Sequence, residues 1–300
     1  WKEQTIRNTS ESQFQTEFEC EFLGSVDTLI NASKIKTMAV VEPKRSGGLD
    51  VYELPKKDHV YTITVDVSRG LSNDYSAFVV VDCTKAPYKI VAKFRDNDIK
   101  PIVFPSIIER VAKHYNSAFV LIEINDLGQQ VADSMQFELE YDNMMMVTQR
   151  GRAGQVLGGG FSGRGNQLGL RMTKGTKKIG TSNLKSLIEG DKLIIQDFEI
   201  VSELSTFIAR GKSFEAEQGA HDDLVMCLVI FSWCANQRYF KELTNVDVRG
   251  QMFTDQQNAI EADMAPFGFI DDGINDPNGN DGYFVDAGEI WRPVTYRKGE

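Results

Sequence analysis

Two carboxylates interrupt runs of apolar residues in the first half of the chain. Asp66 lies in the segment Tyr61–Val67, and Glu123 lies in the segment Phe119–Ile124. Both segments have the composition of buried strands, in which an unpaired charge is very costly. A salt bridge with Lys or Arg would explain either acid alone, but neither segment carries an obvious basic partner on the matching face. A hard divalent cation with oxygen ligands would neutralise both acids together.

A third acidic group precedes the most apolar segment of the chain. His221, Asp222 and Asp223 stand immediately before the run from Leu224 to Ala235. One Asp at the start of a helix is ordinary capping chemistry, because free backbone N–H groups and the helix dipole stabilise it. Two in succession exceed what a cap requires, so this helix is predicted to bring one or both to the strand acids. Asp74 and His221 are predicted to lie beside the ligands, although a plain turn would also explain Asp74 and a helix cap would also explain His221.

These carboxylates predict a particular chemistry. Convergent acids without a Cys or His cluster are typical of Mg²⁺ or Mn²⁺ sites. Two such ions about 3.5–4 Å apart can generate a hydroxide nucleophile and stabilise the departing oxygen of a phosphodiester. The sequence therefore predicts a phosphodiester hydrolase whose catalytic residues and metal ligands are Asp66, Glu123, Asp222 and Asp223.

The charge distribution favours a polyanionic substrate. The chain of 300 residues has a formal net charge of -10, yet no Asp or Glu occurs from Asn143 to Ser186. That interval is predicted to contact the phosphates of DNA through Arg150, Arg152, Arg164, Arg171, Lys174, Lys177, Lys178 and Lys185. A solvated, disordered insertion is the alternative explanation. The part from Gly151 to Gly165 is so rich in glycine that neither a helix nor a strand is expected there.

The pattern of apolar residues predicts the elements that position these groups. Strands are expected at 61–67, 76–83, 88–94, 119–124, 144–148 and 192–195, and helices at 107–115, 128–137, 183–188, 200–208 and 224–239. Three meandering strands followed by alternating helices and strands predict an α/β domain with a mixed sheet covered on both faces. We expect residues 1–57 to end a preceding domain and its linker, residues 58–240 to form the main domain, and residues 241–300 to form an acidic extension.

Other features indicate the setting of the protein. The chain starts at Trp1 without a leader, which favours a fragment of a longer protein. Its longest apolar run, Leu224–Ala235, is much shorter than the roughly 20 residues that cross a bilayer, so no membrane span is expected. The four cysteines form no CxxC pair, which suits a reducing cytoplasm.

Several stretches together resemble one protein family. They are Phe18–Gly24, Val65–Gly70 with Asn73–Ala77, Leu121–Ile124, Lys177–Leu187 and Gly219–Met226. As an ordered set spanning most of residues 14–240, they are similar to the nuclease domain of the large terminase subunit of tailed bacteriophages, of the T-even-like kind. The resemblance implies an RNase H-like fold with a five-stranded mixed sheet. It also transfers the family's acidic triad to Asp66, Glu123 and one of Asp222 or Asp223.

The same resemblance implies an activity and partners. It implies a Mg²⁺-dependent endonuclease, with Mn²⁺ as a substitute, that cuts concatemeric double-stranded viral DNA with little sequence specificity. The implied setting is the cytoplasm of the infected bacterial host. The expected partners are double-stranded DNA, an upstream ATPase domain of the same protein, the portal ring and the small terminase subunit. The phosphate-binding loop of the motor is absent from this sequence, so the chain alone is not expected to translocate DNA.

Two other interpretations stay open. The same carboxylates would serve another RNase H-like enzyme, such as a junction resolvase or a transposase. Alternatively, the acids would be structural, and the chain would be a non-catalytic docking module of the packaging complex.

Overall fold

The computed structural model describes residues 27–69, 74–150, 154–158, 166–211, 213–244, 284–286 and 289–291. Its strands are β1 (Leu49–Val51), β2 (Tyr61–Asp66), β3 (Ser76–Asp82), β4 (Tyr88–Asp96), β5 (Phe119–Ile122), β6 (Met146–Arg150), β7 (Gly154–Gly158), β8 (Asn166–Leu168), β9 (Leu193–Ile194), β10 (Phe207–Arg210), β11 (Ser213–Ala216), β12 (Phe284–Asp286) and β13 (Glu289–Trp291). Its helices are α1 (Ala32–Lys36), α2 (Phe104–His114), α3 (Gly128–Asp133), α4 (Lys174–Glu189), α5 (Phe198–Thr206), α6 (Asp223–Ala235) and α7 (Arg238–Thr244), and α3 continues into a π-helical turn at Ser134–Glu138. None of these described helices is both long and apolar enough to cross a membrane.

The central sheet is mixed, as the sequence predicts. Within the described ranges it has six strands, in the order β1-β4-β3-β2-β5 with β9 also paired to β4. Neighbours among β2, β3 and β4 are antiparallel, whereas β5 lies parallel to β2. The sheet has six strands rather than the expected five because the short β1 and β9 both add to β4. The strand predicted at 144–148 is β6, and it belongs to a separate three-stranded sheet of order β7-β6-β8.

Alternate side chains of the sheet enter two separate cores. On β3, Ala77 and Val79 pack in a core shared with α4, α5 and α6. Phe78 and Val80 of the same strand pack in a core shared with α2 and α3. Successive residues of a strand point to opposite faces, so the sheet is covered by helices on both sides. The α/β class with two covered faces is therefore confirmed.

Helix α6 lies at the centre of the first core. All 13 of its residues are buried. A Cβ at Gly180 of α4 would lie 2.6 Å from the Cγ1 atom of Val229, so glycine is required for the close approach of these two helices. The hydroxyl of Thr64 donates a hydrogen bond to the carbonyl oxygen of Cys227 at 2.9 Å, which ties α6 to β2.

The glycine-rich segment contains a strand, so the prediction of neither helix nor strand across 151–165 is wrong. Gly154–Gly158 forms β7, which pairs antiparallel with β6. The ladder is made by backbone groups, which glycine also supplies, and the side chain of Leu157 is buried. The remainder of this segment, including Arg152 and Arg164, lies outside the described residues.

Two helices have other bounds than predicted. Helix α4 begins at Lys174 rather than at residue 183, because the Thr173 hydroxyl caps it by accepting a hydrogen bond from the backbone N–H of Thr176 at 3.1 Å. The helix predicted at 200–208 ends at Thr206. The chain then enters β10 at Phe207, and this strand pairs with β11.

The chain divides into two compact units, Trp1–Arg249 and Gly250–Glu300. In the first unit, β1 pairs antiparallel with β4. In the second unit, β12 pairs antiparallel with β13. The boundaries expected at residues 57 and 240 stay predictions.

Candidate active site

The parallel pairing of β2 and β5 brings Asp66 and Glu123 to the same end of the sheet. Asp66 is the last residue of β2, and Glu123 follows the last residue of β5. The backbone N–H of Glu123 donates a hydrogen bond to the carbonyl oxygen of Val65 at 2.9 Å. Both acids are half-buried at the strand ends rather than enclosed within the strands. The sheet edge therefore presents two neighbouring carboxylates to the space beyond it.

The backbone of Glu123 is held from two sides. A Cβ at Gly128, at the start of α3, would lie 1.7 Å from the carbonyl oxygen of Glu123. On the other side, the N–H of Leu170 donates to the Ile122 carbonyl at 2.8 Å, and the N–H of Ile124 donates to the Leu170 carbonyl at 3.0 Å. These contacts fix the position from which the Glu123 side chain projects.

The start of α6 supplies the other two acids. Asp222 occupies the N-cap position and Asp223 is the first helical residue, but the Asp222 side chain makes no capping hydrogen bond. Glu203 of α5 takes that role, since its Oε2 atom accepts hydrogen bonds from the N–H groups of Leu224 at 2.9 Å and Val225 at 3.0 Å. The capping explanation for Asp222 is therefore not what the structure contains.

Three of the four acids line one cavity of about 350 Å³, namely Asp66, Asp222 and Asp223. The other residues of the described chain that line it are Val67, Ser68, Arg69, Asp74, Tyr75 and Asp126. Glu123 is not part of this lining, but its charge is the largest electrostatic influence on Asp66. The cavity is therefore walled mainly by acids and has Glu123 next to it.

Burial and mutual repulsion raise the pKa values of the four acids. Burial raises the pKa of Asp66 well above its usual range, and the charges of Glu123, Asp223 and Asp222 raise it further. Burial also raises the pKa of Glu123 to about 7, with Lys177 opposing this effect and Asp222 adding to it. Burial is likewise the main reason why the pKa values of Asp222 and Asp223 are raised. Acids that destabilise one another's charged forms in this way favour binding of a cation.

Unpartnered oxygen atoms support the same interpretation. The Oε2 atom of Glu123 and the Oδ2 atom of Asp223 are buried and have no hydrogen-bond partner. Among the described residues, no Lys or Arg nitrogen lies within the 4.0 Å of an ion pair from the carboxylates of Asp66 or Glu123. A separate salt bridge for each acid is thus absent from the described part of the chain. These hard oxygen donors suit Mg²⁺ or Mn²⁺.

The carboxylates are not gathered into a ready-made cage. Within the part of the chain that the structure describes, no three or more Asp, Glu, His or Cys side chains are arranged as a preformed metal site. Cations that retain water ligands do not need an all-protein cage, and Mg²⁺ usually binds through one or two carboxylates. The donor set therefore fits such an ion, provided that the side chains rotate toward it.

The predicted DNA-binding residues fall into different environments. The Lys177 side chain is 22 % exposed, and its Nζ atom lies 4.0 Å from the Oδ2 atom of Asp222, so it faces the acids. Arg171, Lys174, Lys178 and Lys185 are exposed. Arg150 belongs to β6, but its side chain lies outside the described part of the structure, as do Arg152 and Arg164.

The two residues predicted to accompany the ligands are also near the acids. Asp74 is exposed and lines the cavity. The Nδ1 atom of His221 lies 3.8 Å from the Oδ2 atom of Asp223, and its ring packs edge to face on Tyr75 with centroids 5.0 Å apart.

Sequence reasoning missed two buried charged residues behind Asp223. A terminal nitrogen of Arg95 lies 3.4 Å from the Oε1 atom of Glu203 and 3.7 Å from the Oδ2 atom of Asp223. Glu203 carried a usable signal, since it lies three residues after Ile200 on the apolar face of the predicted helix. Arg95 carried none, because the predicted strand ended one residue before it.

Comparison with known proteins gives the same assignment from independent data. A sequence model described as "Terminase RNaseH-like domain" matches residues 63–231, more than half of the chain. The crystal structure of the large terminase nuclease from thermophilic phage G20c with bound magnesium aligns with a TM-score of 0.54 and 20% identity, covering 69% of this chain and 97% of that chain. The same nuclease with bound cobalt aligns with a TM-score of 0.53, at 20% identity and with the same two coverages, 69% and 97%. Likeness at this identity establishes the fold, and the expectation of an RNase H-like fold is confirmed.

Proposed function

This chain belongs to the terminase RNaseH-like domain family, and we propose from its site that it is a divalent-metal-dependent endonuclease acting on double-stranded viral DNA during genome packaging. The observation that carries the proposal is the meeting of four acids from β2, β5 and α6 at one cavity, with unpartnered oxygen atoms and without a salt bridge to Asp66 or Glu123 in the described chain. Such a cluster is costly to keep in a folded protein unless it binds a cation.

The proposed ligands are Asp66, Glu123 and one or both of Asp222 and Asp223. We propose two Mg²⁺ ions, which Mn²⁺ can replace. When bound, ions of this kind supply a hydroxide nucleophile and neutralise the charge that develops on the departing 3'-oxygen. In the titanium-magnesium-cobalt sense no metal is preferred by the chain's geometry alone, and the choice of Mg²⁺ rests on its oxygen donors.

The chain itself contributes electrostatics and positioning. Lys177 lowers the pKa values of Glu123 and Asp222, so it favours their ionised, metal-binding forms. The contact of Gly128 with the Glu123 carbonyl keeps that acid beside Asp66. Fixed placement of the reacting groups is a large part of catalysis, because it removes the entropy cost of orienting them.

DNA is proposed to bind along the exposed side of α4. Lys174, Lys178 and Lys185 are exposed and are four and seven residues apart, which places them on one side of the helix. Lysines bind phosphates without reading the bases, so this surface would recognise DNA with little sequence specificity.

The remaining parts of the proposal follow from family membership. We propose that the substrate is concatemeric viral DNA and that cutting takes place in the cytoplasm of the infected bacterial host. An ATPase domain upstream in the same protein, the portal ring and the small terminase subunit are the proposed partners. A T-even-like origin is proposed from the stretches Phe18–Gly24 and Gly219–Met226.

Cleavage of supercoiled plasmid tests the proposal. The chain with Mg²⁺ is expected to nick and linearise the plasmid, EDTA is expected to stop cutting, and Asp66→Asn is expected to reduce the rate at least a hundredfold. Asp58→Asn is the matched control, because Asp58 is exposed and its φ of 63° is a backbone conformation that Asn tolerates.

The outcomes separate the alternatives. Uncut plasmid, or equal cutting by Asp66→Asn and the unaltered chain, would refute the proposed nuclease. A strong preference for four-way junctions over linear duplex would indicate a resolvase instead. Absence of cutting together with a melting temperature that divalent metal does not change would indicate a docking module.

A further inference from the structure

Arg95 and Glu203 form a buried pair behind the acids. The Arg95 side chain on β4 is 14% exposed and that of Glu203 on α5 is 6% exposed. Their nearest nitrogen and oxygen atoms are 3.4 Å apart, longer than the roughly 2.7–2.9 Å of a direct charged hydrogen bond. The Nε atom of Arg95 and the Oε1 atom of Glu203 have no hydrogen-bond partner although both are buried. The pair is therefore close but incompletely bonded.

The other oxygen atom of Glu203 controls the start of α6. Its Oε2 atom accepts hydrogen bonds from the backbone N–H groups of Leu224 and Val225. These N–H groups belong to the first turn of the helix and have no partner within it. A side chain of α5 thus determines where the helix that carries Asp223 begins.

Arg95 is shared between two carboxylates. The same terminal nitrogen lies 3.4 Å from Glu203 and 3.7 Å from Asp223. The guanidinium group also lies 3.8 Å above the ring centre of Tyr75, which restricts its movement. In this position Arg95 makes no direct hydrogen bond to the Oδ2 atom of Asp223, which is left without a partner.

We propose that Glu203 is a positioning residue that holds the start of α6 and draws Arg95 away from Asp223, so that the Asp223 carboxylate stays available to a divalent cation. The inference rests on the proposed function. Without the negative charge of Glu203, Arg95 would move into a direct salt bridge with Asp223 and compete with the metal. Groups that orient metal ligands typically change metal affinity by 10–100-fold when they are substituted.

Calorimetric titration of the 300-residue chain with Mn²⁺ tests this role. Glu203→Gln retains an oxygen that can accept both backbone hydrogen bonds, so the melting temperature is expected to change little. Its dissociation constant for Mn²⁺ is expected to increase by about 10-fold or more. Adding Arg95→Gln to this variant removes the competing guanidinium and is expected to restore the affinity to within about threefold of the unaltered chain. Glu138→Gln, at an exposed position, is the matched control.

Each result supports or overturns the proposal. Equal Mn²⁺ affinity of Glu203→Gln and the unaltered chain would overturn it, as would a loss of affinity that Arg95→Gln fails to reverse. If Glu203→Gln does not fold, Arg95→Gln alone decides, since weaker Mn²⁺ binding by that variant would contradict competition and equal or tighter binding would support it. Failure of the unaltered chain to bind Mn²⁺ or cut DNA would overturn the proposed function as well, whereas normal binding and cutting by both chains would overturn only the role of Glu203.

Discussion

Replacing Glu123 by Gln measures the cost of keeping a carboxylate in the metal-free site. The Oε2 atom of Glu123 is buried without a partner, and burial raises the pKa of this carboxyl from 4.5 to about 7. The folded chain therefore binds the proton more tightly than the unfolded chain, so the metal-free stability falls as the pH rises through this interval. At 1.36 kcal/mol per pKa unit, the interval corresponds to about 3 kcal/mol.

Gln does not ionise, so Glu123→Gln is expected to lose this pH dependence. Urea unfolding in EDTA, followed by tryptophan fluorescence at pH 5 and pH 8, gives the free energy of unfolding of both chains. The stability of the variant relative to the unaltered chain is expected to rise by about 2–3 kcal/mol between the two pH values. Comparison across pH cancels any constant cost of burying the amide. Mg²⁺ at pH 8 is expected to stabilise the unaltered chain more than the variant.

Glu138→Gln serves as the control, because Glu138 is exposed and its substitution is expected to change stability by less than about 0.5 kcal/mol at either pH. Parallel pH profiles for the unaltered chain and Glu123→Gln would refute the reasoning, since they would mean that Glu123 is not strained by ionisation in the folded state.

Three further predictions concern the surroundings of the acids. Gly128→Ala places a Cβ 1.7 Å from the Glu123 carbonyl and is expected to lower the melting temperature and abolish cutting, whereas Gly175→Ala, whose nearest listed-range contact is 3.8 Å away, leaves both unchanged. Lys177→Gln is expected to shift the acid limb of the pH–rate curve to higher pH, because Lys177 lowers the pKa of Glu123, and Lys178→Gln is expected to leave that limb in place. The triple change of Lys174, Lys178 and Lys185 to Gln is expected to reduce the salt dependence of DNA binding by up to about 2.7 in the log–log slope, at about 0.9 per phosphate contact, without altering Mn²⁺ affinity. An unchanged slope would exclude α4 as the DNA surface.

The acids were predictable because each contradicts its local pattern. Asp66, Glu123 and the Asp222–Asp223 pair stand in or beside apolar runs, and the sequence alone placed them in one site. The structure brings them to the same end of the sheet through the parallel register of β2 with β5. That register could be expected from composition, since fully buried parallel strands have continuous apolar sequences.

Other features depend on contacts that sequence periodicity does not encode. The strand at Gly154–Gly158 is held by pairing with β6, which overrides the low strand propensity of glycine. Lys177 was predicted as a DNA contact from charge alone, whereas the packing of α4 against α6 turns it toward Asp222. The pairing of Arg95 with Glu203 joins β4 to α5 across more than 100 residues of sequence, so no local pattern could indicate it.

Anomalous diffraction from a crystal of the chain with Mn²⁺ tests the central claim most directly. The account predicts an anomalous peak between Asp66 and the other acids, with carboxylate oxygens of Asp66 and of Glu123, Asp222 or Asp223 about 2.0–2.6 Å from the ion. The absence of any peak at this cavity at saturating Mn²⁺, or a peak bound only to other residues, would contradict it.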